Sequence, residues 1–224
     1  MTTNWVAARQ AAVPAVLLAA ATVFLLTNDT TSSQAARSAA GGVADWPTWA
    51  QDAVAGASEG GLVLLALLLG AAAWQARSLG PDRVATAIVG GLGVMLALAT
   101  SELMKALVAQ DRPCRTVPEL DAVAECPPIG DWSLPSNHAT LAAALATALI
   151  WSAPRRWLVA ASLALVVAAS RVGLGVHYPH DVVDGLVIGA VVVSLLVLLL
   201  RGSATRLVAA ASGAPLLRSL LTAE

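Results

Sequence analysis

Six long apolar segments constrain this chain more than any other feature of its sequence. A transmembrane helix needs about 20 apolar residues, with a range of roughly 17–25, and six runs meet or nearly meet that length. The runs are continuous and rich in Ala and Leu, unlike the alternating pattern of barrel strands. They cover residues 11–27, 60–76, 84–109, 136–153, 157–176 and 179–200. We therefore predict an all-α, polytopic membrane protein, a single domain over residues 1–224 with six transmembrane helices and a short tail at 202–224.

The composition excludes several other classes of protein. Hydrophobic residues make up 58% of the chain and charged residues 12%, whereas soluble domains average about 45–50% and about 25%. The formal net charge is −1, so the chain lacks the basic surface that nucleic-acid binding requires. We exclude a disordered chain, a nucleic-acid-binding protein and an ordinary soluble enzyme, and we expect the lipid bilayer as the surroundings.

The positive charges predict the orientation of the helices, because cytoplasmic loops carry an excess of Lys and Arg. With the N-terminus in the cytoplasm, eight of the 13 Lys and Arg residues lie inside. Those eight are Arg9, Arg77, Arg83, Arg155, Arg156, Arg201, Arg206 and Arg218. Both termini, including the tail, are therefore predicted to be cytoplasmic. The first apolar run also fits a cleaved signal peptide, and cleavage would leave the other helices oriented as before.

Two long segments, residues 28–59 and 110–134, then lie outside. The first contains Asp45-Trp46-Pro47, a possible helix start, followed by apolar residues at helical spacing. This pattern fits either a short helix in the membrane interface or a loop. The second segment contains Cys114 and Cys126. In an oxidising compartment these cysteines form a disulfide, and the alternative is two unpaired thiols.

Three polar clusters interrupt the apolar pattern, all at the predicted outer ends of the helices. In the first, Lys105 and Arg112 are seven residues apart, which is nearly two turns of a helix and places them on one face. Pro113 should end that helix. Taken alone, the two cations could simply be reaching the interface.

In the second cluster, Pro135-Ser136-Asn137-His138 opens the fourth apolar run. Ser136 suits a helix N-cap. The amides of a first turn carry the positive end of the helix dipole and can bind an anion. The alternative is an ordinary cap beside an interfacial histidine.

The third cluster joins Ser170-Arg171 to His177 and Asp181. Asp181 falls in the first turn of the sixth run, close enough to bond one ring nitrogen of His177. That bond would fix the tautomer and leave the other nitrogen as a nucleophile. Arg171 lies near the hydrocarbon, where a charge usually has a function.

Together the clusters place three cations, two histidines and a carboxylate on one membrane face. Cations and helix amides suit a phosphate, and a His–Asp pair suits attack on phosphorus. No additional acidic cluster is available for Mg²⁺. The residues predict cleavage of a phosphoester at the outer leaflet without a metal or another cofactor.

The clusters match, in order and spacing, the signature of the type 2 phosphatidic acid phosphatase (PAP2) family: K-x6-RP, PSGH and SR-x5-H-x3-D. The chain resembles that family over residues 105–181, and its six-span layout extends the likeness. The resemblance implies that His177 forms a phosphohistidine, that Asp181 orients it, and that His138 protonates the leaving oxygen and then activates water. It also implies a set of phosphate-binding residues. These are Lys105, Arg112, Ser136 and Arg171.

One residue departs from the family signature. Asn137 stands where the family usually has Gly, although Asn tolerates the left-handed region better than most residues. Its side chain could also contact a second phosphate. The variant resembles bacterial polyprenyl diphosphate phosphatases, so we expect a bacterial plasma membrane and a polyprenyl diphosphate or related lipid phosphate. The alternatives are a phosphatidic acid or phosphatidylglycerol phosphate phosphatase, a lipid phosphotransferase, and a non-catalytic protein that binds or moves phospholipids.

Overall fold

The computed structural model describes residues 29–214 and residue 221, and over these residues it contains helices and no strand. A 3₁₀ turn, Pro154–Arg156, joins the fifth helix to the sixth. The α-helices are α1 Asp29–Ala44, α2 Thr48–Ala76, α3 Pro81–Val108, α4 Pro113–Thr116, α5 Asn137–Ser152, α6 Trp157–Gly173 and α7 Pro179–Ala211.

Four helical segments in the described residues are long and apolar enough to cross a membrane: α2, α3 together with α4, α6 together with the 3₁₀ turn before it, and α7. This confirms the prediction of an all-helical membrane protein. The predicted first span, residues 11–27, lies outside the described residues. The predicted fourth span corresponds to α5, which has only 16 residues and is shorter than the roughly 17–25 expected for a span. The count of six therefore stays a prediction.

Helix α5 lies at the centre of the bundle and packs against α2, α3, α6 and α7. Its buried residues are mostly alanines, including Ala142, Ala144 and Ala148, which are fully buried. Small side chains let four neighbouring helices approach one axis closely, as in other membrane bundles. The central helix is therefore surrounded by protein, and its N-terminus is held firmly among the ends of its neighbours.

The contact between α5 and α7 is especially close because α7 presents two glycines to it, Gly185 and Gly189. A Cβ on Gly185 would lie 2.6 Å from the carbonyl oxygen of Ser136, and a Cβ on Gly189 would also overlap the backbone of α5. Two glycines four residues apart allow helix backbones to touch. This contact brings the first turns of α5 and α7 together.

The outward faces of the long helices carry large apolar side chains. Leu67 and Trp74 on α2, Met95 on α3 and Leu199 on α7 are all exposed. In water such continuous apolar surface would be costly, but in a bilayer it contacts lipid. The chain therefore has a high hydrophobic content because apolar residues form its lipid-facing surface as well as its core.

Three details differ from the sequence prediction. The segment around Trp49 is neither a loop nor a separate short helix, because α2 starts at Thr48 and continues to Ala76. The first part of the predicted tail is helical, since α7 continues to Ala211. Pro113 does not end the third span: α3 already ends at Val108, where Ala109 adopts a left-handed conformation, and Pro113 begins the short helix α4.

Cys114 and Cys126 form a disulfide, with their Cα atoms 5.9 Å apart. The bond closes one end of the segment that follows Arg112. Arg115 also bridges this segment, donating to the carbonyl oxygens of Pro127 at 2.8 Å and Pro128 at 3.0 Å. The disulfide therefore acts together with a set of hydrogen bonds.

We predict that replacing both cysteines, Cys114→Ser with Cys126→Ser, lowers the thermal stability of the protein without abolishing its chemistry. Closing a loop of about 15 residues is worth roughly 3 kcal/mol in the chain-entropy model, and the Arg115 bonds should preserve part of the local order. Melting curves of the detergent-solubilised protein, with and without reductant, check this. Reductant should lower the melting temperature of the wild type but not of the double variant. Identical melting curves for the two proteins would contradict the prediction.

Candidate active site

The three polar clusters meet at one end of the bundle. Lys105 lies in the last turn of α3 and Arg112 at the N-cap of α4, while Arg171 lies near the end of α6. Ser136 is the N-cap of α5, and its N–H donates to the carbonyl oxygen of Asp181 in the first turn of α7 at 3.0 Å. The close packing of α5 on α7 thus joins the second cluster directly to the third.

His177 and Asp181 form a buried pair. The Nδ1 atom of His177 lies 3.2 Å from Oδ2 of Asp181, and the two side chains are 2% and 0% exposed. The same carboxylate oxygen accepts the backbone N–H of Tyr178 at 2.8 Å and the hydroxyl of Ser133. Three donors around one oxygen hold the carboxylate in a fixed position beside the histidine.

Arg112 fixes which nitrogen of His177 carries the proton. Its Nη1 lies 3.0 Å from Nε2 of His177 and also 3.0 Å from the carbonyl oxygen of Val176. A guanidinium can only donate, so Nε2 must accept and the ring proton must be on Nδ1, facing Asp181. The unprotonated Nε2 is the nitrogen that a nucleophilic histidine requires.

The surroundings also keep His177 neutral. Burial lowers the pKa of His177 to about 4, opposed by Asp181 and assisted by the positive charges of Arg112 and Arg171. An unperturbed histidine has a pKa of about 6.5. At neutral pH the ring therefore has a free electron pair on Nε2.

Asp131, which the sequence analysis did not single out, joins two of the predicted phosphate-binding cations. Its Oδ1 accepts from Lys105 at 3.0 Å and from Nη2 of Arg112 at 2.8 Å, and its backbone oxygen accepts from Nε of Arg112 at 2.8 Å. Burial raises the pKa of Asp131, but the bonds to Lys105 and Arg112 together lower it by more than burial raises it. The pKa of Asp131 therefore lies below its ordinary value. The carboxylate is thus an anion placed where a phosphoryl oxygen is expected.

Lys105 and Arg112 meet in a different way from the one predicted. They do not share one helical face, because α3 ends at Val108 between them. Both are nevertheless almost fully buried, at 5% and 3% exposed, and both bind Asp131. The two cations do lie together, as the spacing of the motif predicted, but they are joined by the carboxylate of Asp131 in the following loop.

His138 and Arg171 are both held by α2, which contributes no residue to the signature. Nε2 of His138 lies 2.7 Å from Oε1 of Glu59. Nη1 of Arg171 donates to Oγ of Ser58 at 3.2 Å, and Ser58 is fully buried. The sequence did not indicate a role for four of these residues, namely Ser58, Glu59, Asp131 and Ser133. The one hint was that Glu59 is the acid at the start of an apolar run.

The side chain of Asn137 is already bonded on both sides. Its Oδ1 accepts from Ser101 at 2.7 Å and its Nδ2 donates to Glu102. Contact with a second phosphate would require one of these bonds to break. The Oγ of Ser136 accepts the N–H of Ala139 at 3.5 Å, so this serine closes the first turn of α5.

A cavity of about 410 Å³ opens beside these residues. Its lining includes Lys105, Asp131, Glu102, Trp132 and Asn137. The cavity therefore adjoins Lys105 and its partner Asp131, and it offers space for a polar group attached to a phosphate.

Comparison with known proteins agrees with the geometry. A sequence model of the PAP2 superfamily matches residues 86–204, which is more than half of the chain. The chain belongs to the PAP2 superfamily. This confirms the resemblance inferred from the three motifs.

Solved and curated relatives extend the comparison of this PAP2 chain. The crystal structure of a transmembrane PAP2-type phosphatidylglycerolphosphate phosphatase from Bacillus subtilis superposes with a TM-score of 0.62 at 19% identity, covering 82% of this chain and 93% of the other. At that identity the likeness establishes the fold alone.

Two curated relatives are more similar in sequence. An undecaprenyl-diphosphatase from Sulfolobus acidocaldarius is 32% identical over 100 residues, which are 44% of this chain and 48% of the relative. A decaprenylphosphoryl-5-phosphoribose phosphatase from Mycobacterium tuberculosis is 36% identical over 129 residues, which are 58% of this chain and 66% of the relative. The match therefore spans about half of the first relative and just under two thirds of the second.

The lowered pKa of His177 predicts how stability depends on pH. Below pH 6.5 the unfolded chain binds a proton at this histidine, whereas the folded chain binds it only near pH 4. The folded state should therefore lose stability as the pH falls from 6.5 to 4. We predict that His177→Gln loses less melting temperature across this window than the wild type, and that above pH 7 the two curves run parallel. Parallel curves across the whole range would contradict the assignment of a buried neutral imidazole.

We predict that Asp131→Asn strengthens inhibition by orthovanadate, because the substitution removes an anion that competes for Lys105 and Arg112. Pairs involving a partly exposed group are worth about 0.2–1 kcal/mol, so the inhibition constant should fall roughly two- to fivefold. Thermal stability should fall as well, since two buried cations lose the negative charge that pairs with them.

The matched control for that experiment is Asp111→Asn. Asp111 is also an acid in the segment after α3, half exposed and 3.6 Å from Arg115, and its removal should leave the inhibition constant unchanged. An unchanged or higher constant in Asp131→Asn would show that Asp131 does not occupy the anion site.

Proposed function

We propose that this chain is a metal-independent lipid phosphatase that acts through a phosphohistidine at His177. The observation that carries the proposal is the state of His177. It is neutral, buried and oriented by Asp181, and its electron pair on Nε2 faces the guanidinium of Arg112. Membership of the PAP2 superfamily supports the same chemistry.

In the first step of the proposed reaction, Nε2 of His177 forms a bond to phosphorus as the bond to the leaving oxygen breaks. His138 gives a proton to that oxygen. Arg112 moves its donor from Nε2 to a phosphoryl oxygen, and Lys105 and Arg171 hold the others, with Ser136 and Asn137 at the start of α5 beside them. Electrostatic holding of this kind is the main catalytic task in phosphoryl transfer.

In the second step water attacks the phosphohistidine. His138, now neutral, takes a proton from the water, the bond between nitrogen and phosphorus breaks, and inorganic phosphate leaves. His177 returns to its neutral state with the proton still on Nδ1. Asp181 remains ionised throughout and stabilises the positive charge that His177 carries as the phosphohistidine.

The proposed substrate is a polyprenyl lipid that carries a diphosphate or a related phosphate. Two curated relatives bear the names of enzymes acting on such lipids, one on undecaprenyl diphosphate and one on a decaprenylphosphoryl phosphoribose. The apolar flanks of the helices support a lipid substrate, and the cavity beside Lys105 has room for a headgroup.

We also propose the arrangement in the membrane: six spans within a single domain, with residues 11–27 as the first and α5 as the fourth. Both termini lie in the cytoplasm and the site faces outward, in a bacterial plasma membrane. The excess of Arg on the opposite face supports this orientation. The disulfide between Cys114 and Cys126 also supports it, since such bonds persist in oxidising compartments.

The test is acid-labile ³²P on the protein after rapid quench, with ³²P-labelled polyprenyl phosphates as substrates and EDTA present. The wild type should label and turn over, and His177→Ala should do neither. His138→Ala should turn over more slowly by the 10²–10⁴-fold that acid–base catalysis typically provides. With a diphosphate substrate it should accumulate label, because the leaving phosphate needs little protonation.

A suitable control is Arg206→Gln, an exposed residue far along α7, which should behave as the wild type. Label on His177→Ala at the wild-type level would show that another residue is the nucleophile. Complete loss of wild-type turnover in EDTA, restored by Mg²⁺, would contradict the metal-independent mechanism.

A further inference from the structure

The N-terminal half of α2 contributes to the candidate site from outside both the signature and the matched family region, residues 86–204. Adjacent residues on this helix hold one side chain each. Ser58 binds Arg171, and Glu59 binds His138 with 2.7 Å between Oε1 and Nε2. We propose that Glu59 is the positioning residue of the acid–base histidine, fixing the tautomer of His138 so that Nδ1 exchanges protons with the substrate. This inference rests on the proposed function.

Hydrogen-bond chemistry determines what the contact does. A carboxylate can only accept, so Nε2 of His138 must carry a proton toward Glu59. In the neutral ring the electron pair is then on Nδ1, which becomes the nitrogen that takes and gives a proton. A charged acceptor also makes the bond stronger than one between neutral groups.

The arrangement mirrors that of the nucleophile. Asp181 holds Nδ1 of His177 and leaves Nε2 to react, whereas Glu59 holds Nε2 of His138 and leaves Nδ1 to react. Each histidine thus has its own carboxylate on the ring nitrogen that does not react. The two carboxylates differ in exposure, since Asp181 is fully buried while the side chain of Glu59 is 69% exposed.

Charge adds a second role for Glu59. Three charged groups on three different helices act on His138: Arg171 on α6, Lys105 on α3 and Glu59 on α2. Burial of the ring and the two cations oppose its protonation, and of the three charged groups Glu59 alone favours it. A general acid must be protonated when the substrate binds. The contact with Glu59 therefore offsets part of the cost of protonating His138.

The test compares Glu59→Gln with the wild type in the pH dependence of kcat/KM. The amide keeps the size of the side chain but removes the charge, so the basic limb should move to lower pH by about one unit, as expected when an opposite charge near a titrating group is lost. The kcat for a polyprenyl phosphate should fall roughly tenfold, since acid–base help is typically worth 10²–10⁴ in all. Glu59→Asp should restore the position of the basic limb.

A substrate with a different leaving group distinguishes a role of Glu59 in positioning the acid from a general effect of the substitution on the structure. The p-nitrophenolate leaving group needs little protonation, so Glu59→Gln should form phosphoenzyme from p-nitrophenyl phosphate at the wild-type rate. Asp52→Asn is the matched control, because Asp52 is an exposed acid on the same helix, seven residues earlier. It should leave all these values unchanged.

Two results would overturn the inference. One is a wild-type pH profile and kcat in Glu59→Gln; the other is an equal loss for both leaving groups. Failure of the proposed function is recognised separately, because it would appear as phosphoenzyme in His177→Ala. If His177→Ala is unlabelled and His138→Ala is slow, while Glu59→Gln matches the wild type, the phosphatase mechanism stands and the role of Glu59 is refuted.

Discussion

The buried guanidinium of Arg112 is the interaction on which the candidate site depends. Its donors reach Asp131 in the following loop, the carbonyl oxygen of Val176 and Nε2 of His177. A buried cation without partners costs several kcal/mol, so the loop and the segment before α7 must both close around this side chain. The same bonds determine the chemistry, because a group that only donates forces Nε2 to accept. The requirement to pair one charge thus sets the tautomer of the proposed nucleophile.

Helix packing supplies the frame for that interaction. Gly185 and Gly189 let α7 approach the backbone of α5, and the N–H of Ser136 then reaches the carbonyl oxygen of Asp181. Since both helices begin at this end of the bundle, their first turns place His138 and Asp181 close to the ends of α3 and α6. The packing of the apolar interior determines where the ends of the helices lie. The hydrogen bonds at that end of the bundle then determine the orientation of each polar side chain. Small residues at the helix contact are therefore as important to the site as the charged residues.

The sequence predicted more of the site than of its surroundings. Long apolar runs require helices in a membrane, and the spacing of the three motifs led to the family. The sequence could not reveal the roles of Asp131, Ser133, Ser58 or Glu59. Each of these side chains contacts a residue far away in the chain, and no local periodicity indicates such a contact. The Lys105–Arg112 prediction failed in its geometry for a related reason: the left-handed residue Ala109 ends α3 between the two cations, and helical spacing then no longer applies. The segment that starts at Asp45-Trp46-Pro47 was left open as a loop or a short helix, and α1 was not predicted. Both α1 and the start of α2 are held by contacts with distant segments, such as the bond between Ser32 and His180.

The resting pattern of charges has a consequence for substrate binding. Asp131 binds Lys105 and Arg112, and Arg112 also donates to the electron pair of His177. These contacts must loosen when a phosphoryl group enters, and Asp131 is partly exposed while the two cations that it binds are buried. The carboxylate of Asp131 can therefore move into water while Lys105 and Arg112 stay buried, so the exchange costs little reorganisation of the buried groups. A site whose fixed parts are buried and whose mobile parts are exposed stays paired while it is empty and remains ready to bind phosphate.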